Sequence, residues 1–279
     1  AFVIMQILIS AGSISSLLQG LMVPLCTYII LAVSLNLVVG ILGELSLGHA
    51  GFMCVGAFTS AFFSKCTRDV IASDGLRFFL ALLIGIVTAA IFGMLIGIPV
   101  LRLKGDYLAI VTLAFGEIIK NMVNVLYIGK DSKGFHVTTK DVMALNMDAD
   151  GTVILNGPQG ITGTPKNSTF VIGFILILLT LFIVQNLINS RDGRAIMAIR
   201  DNRIAVESVG INITTYKMMA FVISAAIAGV GGALFGLGQN TIIASKFDFN
   251  ASILILVFVV LGGQGNMLGS IIAATVLTI

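Results

Sequence analysis

The sequence predicts an all-α polytopic transmembrane helical bundle, and three observations carry that expectation. Only 10% of the 279 residues are charged while 57% are hydrophobic, with a mean hydropathy of +1.08; a soluble domain carries roughly a quarter charged residues. Apolar runs long enough to cross about 30 Å of hydrocarbon as helices recur along the chain, separated by polar stretches. Within those runs small residues return every fourth position, a spacing that lets helices approach closely in lipid. The net charge of +3 is small and dispersed, so no nucleic-acid partner is expected.

Residues 1–18 hold a short apolar piece, Phe2 to Ile9, expected to be the tail of a truncated span. The chain opens at Ala1 without a basic leader, so no signal peptide is expected, and the natural protein is expected to continue beyond both ends. Residues 20–42 form the first complete span. Residues 43–64 are apolar but studded with Gly43, Gly48, Gly51 and Gly56; this stretch either spans or enters and turns back, and is expected to be broken or re-entrant.

A polar loop at 65–77 leads to a span at 78–101, where Gly85, Ala89, Gly93 and Gly97 form a helix-packing stripe. Pro99 and the charged turn Arg102–Asp106 end it. Spans follow at 107–128, 169–189 and 218–238; the last carries a second stripe through Ser224, Ala228, Gly232 and Gly236. An apolar run begins at 253, with a third stripe through Gly265, Gly269 and Ala273. The whole of 1–279 is thus one membrane domain.

Orientation follows from Lys/Arg density near span ends. Residues 191–217 carry five Lys/Arg and three Asp/Glu, which places 190–217 in the cytoplasm. Alternation then puts the Arg102/Lys104 turn inside and the Gly/Asn/Thr-rich loop 129–168 outside. Lys65, Arg68 and Arg77 fall outside against the rule, which a re-entrant 43–64 would repair.

Candidate chemistry is sparse. No G-x-x-x-x-G-K-[ST] loop is present, so ATP hydrolysis by that route is excluded for this chain. No Cys/His metal spacing or Asp-rich cluster occurs, so no metal or cofactor is expected. Cys26, Cys54 and Cys66 read as buried small hydrophobes rather than a disulfide framework. His49, alone among glycines, reads as a packing or hydrogen-bonding group before a catalytic one.

Glu117, Lys120, Asn121 and Asn124 stand at i, i+3, i+4 and i+7 within a span. Charge there must be paired or wet, so these residues form either a wall of a translocation path or an interhelical network; Asn36 and Glu44 join them as path candidates. In 190–217, Ile196, Ile199, Val206 and Val209 share a helix face interrupted by Arg203, with Arg203 and Glu207 at i, i+4. Gly210 supplies the helix stop. Such an amphipathic helix either docks into a groove on another protein or lies in the headgroups.

At this point five blocks resemble one known family. GRAIMAIRDNRIAVESVGINITTYKMMAFVISAAIAGVGGAL is similar to the cytoplasmic loop and following span of the branched-chain amino-acid ABC transporter permeases. LNLVVGILGELSLGHAGFMCVGAF at 35–58, LRLKGDYLAIVTLAFGEIIKN at 101–121, NGPQGI at 156–161 and VLGGQGNMLGSIIAA at 260–274 follow in order. The M-type subunit of such a permease pair fits better than its H-type sister.

The resemblance implies half of a transmembrane pore in an ATP-driven importer, multi-pass in a prokaryotic plasma (inner) membrane. Its partners would be cytoplasmic ABC ATPase subunits, a second homologous permease and an extracytoplasmic solute-binding protein. Leucine, isoleucine or valine would be the cargo, while related permeases carry urea or short amides. The segment 190–217 would be the coupling loop, with Arg200, Arg203, Ala205, Glu207, Ser208 and Gly210 as ATPase-coupling residues. Val206 and Ser208 depart from the family's Glu-Ala-Ala…Gly pattern, and Glu44 stands where Gln is common. The rival reading is a stand-alone ion-coupled secondary transporter or channel using Glu44, Glu117 and Lys120. An intramembrane enzyme built on His49 is a third.

Overall fold

A computed structural model describes residues 16–278 except 69, 72, 104, 132, 133 and 148–150. The apolar piece at 2–9 and Lys104 lie outside the described residues. Ten α-helices run among them: α1 Ser16–Asn36, α2 His49–Cys66, α3 Asp74–Val100, α4 Asp106–Val125, α5 Phe170–Asn189, α6 Arg191–Asp201, α7 Arg203–Ser208, α8 Ile213–Gly236, α9 Phe249–Gly262 and α10 Met267–Thr278. A π-helical turn, Leu37–Leu42, extends α1. Six of the described helices are long and apolar enough to cross a membrane, so the all-α polytopic expectation holds.

α8 is the centre of the bundle, packed chiefly against α2 and α3 and then α1. The stripe Gly85, Ala89, Gly93 and Gly97 of α3 does pack on α8. A Cβ at Gly93 would lie 2.6 Å from that of Ala225, and one at Gly97 2.7 Å from Met218 Sδ. The receiving face, however, is Ala225, Gly229 and Ala233. The stripe read on α8 faces elsewhere: Gly232 meets Met53 and Ala57 of α2, Gly236 meets Ala57, and Ser224 bonds α1, with Ala228 fully buried on the same side. Small residues at two consecutive fourfold registers thus make α8 thin on two faces, and helices close in on both.

Residues 43–64 are broken but do not turn back. After the π-turn, Gly43 takes the left-handed conformation (φ 77°), residues 44–48 run without helix, and α2 starts at His49. α2 then continues to the opposite end of the bundle, where Lys65 Nζ donates to the carbonyls of Val153 and Ile154 (2.9 and 3.3 Å). Loop 65–77 and segment 129–168 therefore share one end, and its cations remain an exception to the charge rule. Arg77 is there paired with Asp74 and donates to the Ile71 carbonyl, so its charge is locally answered.

Segment 129–168 is not the plain loop its polar composition suggested. Tyr127–Asp131 (β1) pairs antiparallel with Gly134–Thr138 (β2) and Thr152–Asn156 (β3), and Ile161–Thr162 (β4) pairs with Thr241–Ile242 (β5). These ladders of two to five residues are too short to register as strand periodicity. They cap one end of the helices.

The expected single run from 253 divides into α9 and α10. Gly263 and Gly265 both take positive φ (89° and 84°), and Asn266 Oδ1 accepts the Gly269 N–H at 3.1 Å, restarting the helix. The third stripe divides with it: Gly265 sits in the turn, Gly269 abuts Gly262, and Ala274 rather than Ala273 is buried. The expected start of the preceding span also moves, because Asn212 caps α8 and brings 213–217 into the helix.

Candidate functional site

The charged stretch folds as two helices where one was expected. Ser190 Oγ caps α6 by accepting the Gly193 N–H (3.0 Å), and Asn202 Oδ1 caps α7 by accepting the Ala205 N–H (3.1 Å). An Asn side chain that satisfies free N–H groups favours such a restart. Ile196, Ile199 and Val206 are buried, as their shared spacing required, and Val206 packs with Ile199 and Ile213. Val209 is 76% exposed instead, because α7 ends at Ser208 before the pattern reaches it.

Around Val206 the surface is open: Arg203, Ile204, Ala205, Glu207, Ser208, Val209 and Gly210 are all exposed. The valine that departs from the family pattern is therefore the inward anchor of α7 and not part of its outer surface. Gly210 adopts φ 82° as its stop role required, with open space around its Cα.

Arg200 points the other way. Its Nη1 donates to the Gly40 carbonyl in the π-turn at 2.8 Å, its stem lies over Gly43, and its Nε donates to Asp201 (3.1 Å). Together with Val39, Leu45 and Gln264 these groups line a cavity of about 410 Å³. Beside it Glu44 pairs with Lys217 of α8, which is 3% exposed. Asn36 is wholly buried; its Nδ2 donates to Ser270 Oγ (2.9 Å), and its Oδ1 accepts the Gly265 N–H (2.8 Å). Gly40 leaves the room that this turn needs, since a Cβ there would strike the Gly265 backbone. The helix pair α6–α7, the π-turn, the foot of α8 and the α9–α10 turn are thus tied at one end of the bundle.

Farther along, α4 holds two chain breaks. Thr112 Oγ1 accepts the Leu47 N–H just before α2 (3.1 Å), and Glu117 Oε1 accepts the Phe249 N–H at the start of α9 (3.1 Å). The Ala50 N–H donates to Ser252 Oγ (3.3 Å), so the two helix starts meet each other as well. Glu117 also pairs with Lys120. The four polar residues of α4 separate: Glu117 and Lys120 join this network, Asn124 is half-buried, and Asn121 is exposed.

His49 is buried in a hydroxyl cluster. Ser34 Oγ donates to the Ser224 carbonyl (2.6 Å) and Ser224 Oγ donates back to the Ser34 carbonyl (2.8 Å). His49 Nε2 lies 2.8 Å from Ser34 Oγ, whose hydrogen is already committed, so the imidazole N–H is the donor. The ring ties α2 to α1 at Ser34, which in turn is bonded to Ser224 of α8. Lys217, Thr112, Ser252, Ser34 and Ser270 were not singled out from sequence. Thr112, Ser34 and Ser270 could be found only as polar residues within apolar runs, while Lys217 and Ser252 stand at the edges of such runs.

If the Glu117 link carries the α9 start, Glu117→Ala should lower the thermal midpoint of the purified protein more than Glu117→Gln, which keeps an acceptor. The loss expected for removing this solvent-accessible link is about 0.5–1.5 kcal/mol. Equal effects of the two variants would remove the capping role.

A bundle of membrane-crossing helices with two interior breaks and an anchored polar helix pair at one end is the architecture of a membrane transport component. The family described as "Branched-chain amino acid transport system / permease component" matches residues 17–279, and the chain belongs to it. The high-affinity branched-chain amino acid transport system permease proteins LivM of Salmonella typhimurium and Escherichia coli are 36% and 35% identical, each over 90% of this chain and 60% of the relative. A probable branched-chain amino acid transport permease protein LivM from Methanocaldococcus jannaschii is 26% identical, over 87% of this chain and 74% of its own. The chain thus spans about 60% of the length of the bacterial LivM relatives it matches. No solved structure matches it.

Proposed function

We propose that this chain forms half of the translocation unit of an ATP-driven importer for branched-chain amino acids in a prokaryotic inner membrane. α7 serves as the contact for ATPase subunits supplied in trans. The observation that carries this reading is the division of labour in 191–217: Arg200 and Val206 bind inward, while Ala205, Glu207, Ser208 and Gly210 stay exposed. A surface held so firmly from behind can pass a push from a partner into the π-turn and α8.

In this scheme 190–217 faces the cytoplasm and 129–168 the opposite side, where a solute-binding protein delivers cargo. A second homologous permease completes the pathway. Closure of the ATPases moves α6–α7 as one body, and the ties at Gly40, Glu44 and Asn36 carry that movement to the breaks held by α4. Branched-chain amino acids are the proposed cargo because the LivM relatives bear that description. Asn36, Glu44, Glu117 and Lys120 act in this scheme as positioning groups behind the path, and Asn121 and Asn124 as its wall.

Gly210→Trp tests the coupling surface. In proteoliposomes holding the permease pair and its ATPases, with binding protein added, uptake and stimulated ATP hydrolysis should fall about tenfold, equivalent to ~1.4 kcal/mol, while insertion stays normal. Unchanged uptake removes the assignment to α7. Uptake driven by an ion gradient without ATP would favour the secondary-transporter reading instead.

A further inference from the structure

A second cavity lies away from these ties, beneath the sheet end, and nothing in the transport scheme uses it. It holds about 440 Å³ and is walled by α2, α3, α4 and the strands, chiefly through Phe58, Phe62, Ile84, Thr88, Val123 and Leu155. It is partly open, and two of its walls, α3 and α4, touch only sparsely. Leu83, Val87 and Ile91, on the helix that supplies Ile84 and Thr88 to the wall, are exposed apolar side chains on a helix long and apolar enough to cross a membrane.

The wall exposes no polar atom. Its two hydroxyls are consumed: Thr59 Oγ1 and Thr88 Oγ1 lie 2.8 Å apart, and they donate to or lie against the Val55 and Ile84 carbonyls at 2.7 and 2.8 Å. Water needs two to four polar partners, so a cavity of this lining is dry and takes apolar matter. A zwitterionic solute would lose its hydration there without compensation.

The rim is cationic. Lys65 follows Phe58 and Phe62 on one face of α2, and its Nζ has carbonyl partners and no carboxylate among the described residues. Lys130 Nζ sits 6.0 Å above the Phe135 ring, which in turn lies 6.1 Å from Phe62. The neighbouring Asp131 carboxylate is engaged by His136 at 3.0 Å. An apolar slot open to hydrocarbon beneath two ammonium groups fits a phospholipid with an anionic headgroup.

We infer that this cavity binds one acyl chain of an anionic phospholipid from the surrounding bilayer, with its headgroup at Lys65 and Lys130. The chain fills the wedge between α3 and the α2–α4 pair. It also stiffens the wall behind α4, the helix that holds both breaks.

The test uses the full permease assembly in nanodiscs containing phosphatidylglycerol with a diazirine in mid-chain, followed by photolysis and peptide mapping. Cross-links should concentrate on 58–63 and 84–88, about tenfold above the lipid-facing part of α5, the equivalent of ~1.4 kcal/mol. Thr88→Phe, which fills the slot, should abolish that excess without changing labelling of α5. Phosphatidylcholine carrying the same diazirine should label 58–63 less than phosphatidylglycerol does, and Lys65→Gln should erase the difference. Uniform labelling along all exposed helices of the unmodified assembly overturns the site, as does closure of the opening by the second permease with no labelling at all. Equal labelling by the two lipids overturns the headgroup assignment.

Discussion

Gly232→Leu is expected to cost the protein about 1–3 kcal/mol or more, seen as a fall in thermal midpoint and loss of the monodisperse peak in mild detergent. The reason is the nature of the wall. A Cβ at Gly232 would overlap the Met53 carbonyl and lie 3.0 Å from the Ala57 nitrogen. Both are helix backbone, which no side-chain rotation can move aside. α2 cannot retreat either, because Gly56 is pressed on Gly229 of the same α8, and α3 packs beside it on α8 at Gly229 and Ala225. Strain introduced at one face is therefore felt at both. Gly20→Leu is the matched control, since an added Cβ there meets nothing within 4 Å. Equal midpoints for the two variants would show that α8 is not the wedge on which α2 and α3 close.

The fourfold stripes announced this packing, but only in part. That α3 carries a small face was legible in Gly85, Ala89, Gly93 and Gly97, because one face on one helix is a one-dimensional pattern. α8 has small residues at 224, 225, 228, 229, 232 and 233, two overlapping registers, and sequence alone does not say which partner each one meets. The charged stretch behaved similarly. Its caps at Ser190, Asn202 and Asn212 were present as residue types, yet the break at Asn202 was hidden by an apolar spacing that runs through it. Sequence groups Arg200 with the ATPase-coupling residues, and only the folded chain brings it to Gly40, 160 positions away in sequence. On α4 the polar spacing was visible, but whether Glu117 faces a path or a neighbouring helix depends on where α9 begins, which is a matter of tertiary structure.

The tie between Glu44 and Lys217 is another such case, its partners 173 positions apart in sequence. Lys217→Met should be the most damaging single change at the α6–α7 end. Lys217 is 3% exposed and the Glu44 side chain 15%, so little water reaches either. Removing the ammonium strands a desolvated carboxylate, which costs about 3–5 kcal/mol when one member of a buried pair is lost. It also frees the 44–48 segment from the foot of α8. Two readouts follow: a lower thermal midpoint, and faster proteolysis or hydrogen exchange across 43–48 than across α5. The double variant Glu44→Gln/Lys217→Met should recover most of the midpoint, because it leaves no unpaired charge. Recovery of stability without recovery of uptake would assign the pair to coupling, since the neutral side chains fill the space but no longer hold α8 to the break. Failure of the double variant to recover the midpoint would mean that the ion pair itself, and not the stranded carboxylate, supplies the stability. The pair would then be a net stabiliser of the kind that buried ion pairs seldom are.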